Sequence, residues 1–197
     1  MSDPPKVRNS QPDPLRSLCE ADVAKFLTDP KRLTTPAAID DRVRRFCERL
    51  SPSNAPLFLK PNPQLWSRRQ YCNKNVEKMV NMYGGKAQLG YRIWYVPSLY
   101  VEAERHAVWK KPDGTLVDIS YYPDGEDAIL FLPAPHLDTV LTQDHLKPRE
   151  GYHLKVERFI RSQRQFERRF APPKDDTREG WEQAESFQEW QARRLKF

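Results

Sequence analysis

The chain is expected to fold as an α+β domain, with an antiparallel sheet of three to four strands packed on a central helix and helical extensions before and after it. Three observations lead there. Apolar residues recur at helical spacing as far as Tyr83, alternate from Leu89 to Leu132, and return to helical spacing after Gly151. The first change of period falls at Gly84-Gly85, a pair suited to ending a helix. Two alternating runs flank Pro112-Asp113-Gly114, where proline presets φ and glycine accepts a positive φ, so the runs read as a hairpin.

Taken in order, residues 1–14 are polar and proline-rich and read as a disordered tail. Residues 15–60 are expected to hold N-terminal helices. One spans 15–28 and stops at Asp29-Pro30. The next starts at Thr35-Pro36, an N-cap followed by proline at the first helical position, and carries Ile39, Val43, Phe46, Cys47 and Leu50 on one face. Residues 51–63 are a proline-punctuated connector. The α+β core covers 61–150. Asn62-Pro63 is a start signal for a helix running through Cys72 and Val76 to Tyr83. Leu89–Val96 and Leu99–Trp109 are strands, the second with Tyr100, Glu102, Glu104, His106 and Val108 on one face. Thr115–Ser120 is the return strand and Ala128–Leu132 a further short one. Residues 151–197 form a basic helical extension with a helix over 155–170, a break at Pro172-Pro173 and a last helix over 178–197. Apolar residues concentrate between Leu57 and Leu141, so the core is expected there.

Composition bounds the function classes. The net charge of +6 attracts anionic partners, although a solvated basic surface accounts for it as well. No apolar run approaches the roughly 20 residues of a membrane span, so no membrane association is expected. The opening residues MSDPPKVRNSQPDP lack an apolar leader, which points to the cytoplasm, with the nucleus as the alternative. The three cysteines, Cys19, Cys47 and Cys72, have no C-x-x-C spacing and are expected as free thiols without a zinc or redox role. His136, His145 and His153 lack ligand spacing, so neither metal nor cofactor is expected.

One constellation carries chemistry. Cysteine catalysis needs a thiolate, a base beside it and a group that orients the base. Cys72 stands on a helix, His106 on a strand and Asp118 on the next strand. With a three-residue loop Pro112–Gly114, Lys111 faces Thr115 and Val108 faces Asp118. His106 and Asp118 are then diagonal neighbours on one face, about 7–8 Å apart at the backbone. A four-residue loop would send them to opposite faces.

The block C-x-x-N-V from Cys72, Gly84-Gly85, G-Y-x-I-W from Gly90, E-A-E-x-H-A-V-W from Glu102 and P-D-G-x-L-x-D from Pro112 resembles a family of small microbial proteins of uncharacterised function. H-A-V-W followed by an aspartate-bearing strand is similar to the matching segment of the transglutaminase-like superfamily, and the cysteine–histidine–aspartate order is that of papain-like and transglutaminase-like cores. The likeness spans roughly Pro61 to Pro135. It implies Cys72 as nucleophile, His106 as general base and Asp118 as orienting carboxylate, in a cysteine-dependent amide hydrolase or acyltransferase acting on a protein, peptide or amide substrate. Trp66, Glu102, Glu104 and Trp109 are the expected substrate neighbours, and Gln64 or Trp66 would flank the oxyanion.

Each residue also has a structural reading. A helix beginning at Pro63 puts Cys72 in mid-helix as a buried small residue. His106 would then be a satisfied core histidine and Asp118 a strand-end cap. Glu102 and Glu104 are either an acidic substrate pocket or solvated charges. On that alternative the protein is a non-catalytic binder whose basic helix 155–170 contacts nucleic acid or an acidic protein.

Overall fold

A computed structural model of the chain describes residues 33–123, 126–137, 147–170 and 177–195. The expected tail 1–14, the helix 15–28, Cys19 and His145 lie outside the described residues. Five helices and six strands are described.

Helix α1 spans Asp41–Leu50 and is capped by Asp40, whose carboxylate accepts from the N–H groups of Arg42 and Val43 at 2.9 and 2.8 Å. The start expected at Thr35-Pro36 is displaced because Thr35 is engaged elsewhere. Its hydroxyl donates to the Ala128 carbonyl at 3.0 Å, and its N–H donates to Glu126. A ten-residue helix is too short to persist alone. Val43, Phe46 and Cys47 hold it to the sheet, at about 1.5–3 kcal/mol for each large buried side chain.

The sheet exceeds the three to four strands expected. Its order is β1-β5-β2-β3-β4, with β6 also paired to β3. Strand β1 is Leu57–Leu59, β2 Lys86–Val96, β3 Tyr100–Lys110, β4 Leu116–Val117, β5 Ile129–Pro133 and β6 Arg149–Gly151. Strands β2 and β3 pair antiparallel along their whole length, from Lys86↔Lys110 to Val96↔Tyr100. The other edge of β3 is shared: β6 takes one end, at Tyr100–Glu102, and β4 the other, at Trp109–Lys110. His106 stands between these two short partners.

The register around the hairpin is Trp109↔Val117 and Lys110↔Leu116. Lys111 N–H donates to the Thr115 carbonyl, which closes a three-residue loop with Gly114 at φ +88°. Continued by one residue, this register puts Asp118 opposite Val108. After Val117 the return strand leaves the ladder, and Asp118 instead bridges Pro61.

Helix α2 spans Cys72–Tyr83, not 63–83. Three features keep residues 63–71 out of it. Gln70 sits at φ +65°, which no right-handed helix accepts. The Ser67 hydroxyl accepts the Gln64 N–H. The Asn75 side chain both accepts from Arg68 N–H at 2.9 Å and donates to Arg68 C=O at 2.8 Å, tying the preceding loop to the first turn. Gly84, at φ +73°, ends the helix.

Helix α3 spans Leu154–Phe170 and packs Val156 and Ile160 against Val96, Leu99 and Tyr100. The single last helix expected over 178–197 is two, α4 over Arg178–Gln183 and α5 over Phe187–Arg194. Ser186 and Glu189 form a capping box that starts the second. The core therefore extends beyond Leu57–Leu141, since α1 and α3 supply its outer walls.

Candidate functional site

Cys72 is the first residue of α2 and is buried at 8% exposure. The N-cap Tyr71 sends no side chain to the first-turn N–H groups, so their positive potential faces the surroundings of Cys72. This excludes the mid-helix placement. The thiol packs among Val76, Met79, Ala107, Trp109 and Ile119, with Trp66 against the same cluster.

His106 and Asp118 project from β3 and from the residue after β4, as the loop register requires. The His106 Nε2 lies 3.1 Å from Asp118 Oδ1. Oδ1 also accepts the Ser120 N–H at 3.0 Å, and Oδ2 accepts the Tyr122 hydroxyl at 2.6 Å. Asp118 is fully buried, and the three donors satisfy its two oxygens. Burial alone would raise its pKa. His106, the Tyr122 O–H and the Ser120 N–H outweigh burial and hold the carboxyl below its usual range.

Cys72 is the other group that acts on the imidazole. With Nε2 taken by Asp118, Nδ1 is the ring nitrogen that remains. Burial pushes His106 towards neutrality. Asp118, followed by Cys72, outweighs it, and the pKa is pushed up to about 10. The pair thus favours a proton on the ring and negative charge on Asp118.

Two residues that the sequence reading passed over complete the surroundings. Tyr122 OH lies 3.3 Å from His106 Nε2 as well as on Asp118, and burial followed by Asp118 pushes its own pKa well up, so it remains a neutral donor. It stands four residues after Asp118, and simple continuation of the alternation 118, 120, 122 would have found it. Arg92 is 3% exposed, with its guanidinium 3.4 Å from the Trp94 ring centroid and 3.7 Å from that of Tyr122. A charged residue amid the apolar run of β2 was the available signal. Phe131 sets its ring edge-on to His106 at 6.2 Å. It comes that close because Gly90, opposite His106, has no side chain. A Cβ there would lie 2.6 Å from the Phe131 ring and 2.2 Å from the Leu132 carbonyl.

No protein-family model, curated protein or solved structure matches this chain.

The expected substrate neighbours divide. Trp66 is half-buried beside the Cys72 cluster and faces Trp181. Trp109 lines that cluster too, but its indole N–H donates to the Gly84 carbonyl and serves the helix end. Glu102 is neither pocket-lining nor solvated. It is 3% exposed and paired with Arg149 at 2.7 Å and Lys147 at 3.2 Å, a cluster that Arg149 extends to Glu167 on α3. Glu104 accepts the Trp94 indole N–H at 3.0 Å. Burial would raise its pKa, but Lys147, that indole and His106 hold the carboxyl low. Gln64 reaches back to the Asn62 carbonyl. Two open clefts, around Thr34, Phe58 and Asp127 and around Gln88, Pro135 and His136, include no residue of the trio. No group of three or more metal-ligating side chains is present among the described residues, nor is a helix long and apolar enough to cross a membrane.

Cys47 provides a contrast. It is fully buried on α1, and burial with Glu48 pushes its pKa up to about 12. It is a packing thiol.

Proposed function

We propose that the protein is a cysteine-dependent amide hydrolase or acyltransferase in which Cys72 is the nucleophile, His106 the acid–base and Asp118 its orienting carboxylate. The observation that carries this reading is the buried imidazole held by Asp118 on Nε2, with Cys72, the first residue of α2, as the second group acting on the ring. A thiolate paired with an imidazolium is the reactive form of a catalytic cysteine.

On this reading the Cys72 thiolate attacks the carbonyl carbon of an amide. The C=O π pair moves onto oxygen, and N–H groups of the first turn of α2 stabilise the oxyanion. Collapse breaks the C–N bond, and the leaving amine takes the His106 proton. The resulting thioester is opened by water, or by an amine in transfer, with His106 accepting the proton of the incoming nucleophile. Asp118 keeps the charged ring in place throughout.

The reading is tested by alkylation with iodoacetamide at pH 6, followed by intact mass and peptide mapping. An ordinary thiol is about 0.3% ionised there, so an ion-paired Cys72 should react about a hundredfold faster than a free thiol standard. Cys47 should remain unlabelled, and His106→Gln should remove the advantage. Equal, slow labelling of wild type and variant would remove the basis for catalysis.

A second reading rests on Arg158, Arg161, Arg168 and Arg169, which are exposed on α3. Such a face suits nucleic acid or an acidic protein surface, and its binding would weaken steeply with salt.

A further inference from the structure

The two C-terminal helices do not lie on the basic face of α3. They are docked on the loop that delivers Cys72. Phe187 N–H donates to the Ser67 carbonyl at 2.8 Å and Gln188 N–H to the Leu65 carbonyl at 3.0 Å, around an antiparallel bridge between Arg68 and Ser186. Arg68 Nη1 pairs with Glu189 at 3.0 Å. The Tyr121 hydroxyl, three residues beyond Asp118, donates to the Glu185 carbonyl, and its ring lies against Phe187 and Trp190.

Trp181 reaches the helix that starts at Cys72 at two residues. The Trp181 indole N–H donates to Asn75 Oδ1 at 2.9 Å, and the Trp181 ring sits 6.5 Å from Trp66, with the Lys78 ammonium over both. Asn75 is fully buried, lies one turn after Cys72, and is the side chain that fastens Arg68 at both backbone groups. Trp181 therefore closes a chain of contacts running from α4 through Asn75 to the loop whose left-handed residue, Gln70, stops the helix from starting earlier. Without that chain, only the Ser67 hydroxyl on the Gln64 N–H opposes winding of the stretch from Leu65 onward into the helix that the sequence alone suggests. In that helix Cys72 would lie in mid-helix, away from the helix start.

We infer that residues 177–195 clamp the Cys72 loop in the arrangement that starts α2 at Cys72, with Trp181 and Asn75 as its positioning residues. This rests on the proposed cysteine chemistry and adds the part of the chain that makes the site competent. Trp181 touches none of the reacting atoms. It acts by selecting where α2 begins.

The test is the pH profile of Cys72 alkylation by iodoacetamide in the full chain, for wild type, His106→Gln, Trp181→Phe and Trp181→Ala. Phenylalanine keeps the ring against Trp66 and loses only the donor. The inference predicts that Trp181→Phe slows labelling at pH 6 by about tenfold and bends the flat profile towards that of an ordinary thiol, rising through about pH 8.5, while Cys47 stays protected. Trp181→Ala should go further in the same direction. A wild-type profile in both Trp181 variants, with His106→Gln still impaired, would overturn the clamp and leave the site reading intact. Cys47 becoming labelled together with Cys72 in Trp181→Phe would also overturn it, because the effect would then be general loosening. A His106→Gln profile identical to wild type would remove the site reading itself, and the clamp with it.

Discussion

Asp118→Asn separates charge from geometry at the trio. Asp118 now accepts on both oxygens: His106 Nε2 and the Ser120 N–H on Oδ1, the Tyr122 hydroxyl on Oδ2. An asparagine has one acceptor and one donor end. Its oxygen belongs at the Oδ1 position, where two donors meet it, and its NH2 then faces the Tyr122 oxygen, whose hydroxyl can turn to accept. The side chain therefore stays in place while the negative charge goes. A carboxylate in contact with an imidazole moves its pKa by about 1–3 pH units, so His106 should fall from about 10 to between about 7 and 9, with burial and Cys72 as the remaining influences. At pH 6 the ring stays charged in either case, whereas in Asp118→Asn it should lose its proton between about pH 7 and 9. Thermal unfolding should move little, since a buried carboxylate is costly as well as bonded, and the change lies within about 2 kcal/mol. The assay is the pH titration of the His106 ring by NMR, with a melting curve beside it. A His106 midpoint that stays near 10 in Asp118→Asn would refute the claim that this carboxylate holds the ring charged.

Further predictions follow from the same contacts. Gly90→Ala should destabilise the fold by about 2–4 kcal/mol in chemical denaturation, because the Leu132 carbonyl at 2.2 Å belongs to the β2–β5 ladder and cannot withdraw cheaply. Glu102→Gln should cost about 3 kcal/mol by leaving Arg149 and Lys147 under-compensated in a buried cluster, yet leave the Cys72 labelling profile unchanged, since that cluster lies at the other end of β3. The folded pKa of His106 is raised, so its contribution to stability is complete below about pH 6.5 and fades as pH rises towards 10. That of Asp118 is lowered, so its contribution is present above about pH 3.8 and is lost as pH falls. Melting temperature should therefore decline on both sides of that interval, and Asp118→Asn should flatten the acid limb.

What could be read in advance, and what could not, follows from the range of the deciding interactions. The hairpin was legible because Pro112-Asp113-Gly114 settles its own geometry within five residues, including the Asp113 carboxylate on the Thr115 N–H at 2.8 Å. That local fact carries the register of His106 and Asp118. The start of α2 was not legible. Asn62-Pro63 offers a valid local signal, and it is overridden by Gln70 at positive φ and by Asn75, which is held in turn by Trp181 from far along the chain. Thr35 misled for the same reason, since its hydroxyl goes to Ala128 rather than to a helix. Strands β1 and β6 have three residues each, too few to show a period, and exist through their partners β5 and β3. Tyr122 and Arg92 were within reach, one by extending an alternation and the other by asking why an arginine interrupts the apolar run of β2.

Nitrogen-15 NMR of the imidazole rings, with His106 assigned by comparison with His106→Gln, measures the charge on this residue directly. The account predicts both ring nitrogens of His106 protonated at pH 8, a titration midpoint near 10, and a fall in that midpoint when Cys72 is replaced by serine. A neutral ring at pH 7 whose titration ignores the Cys72→Ser change would contradict it.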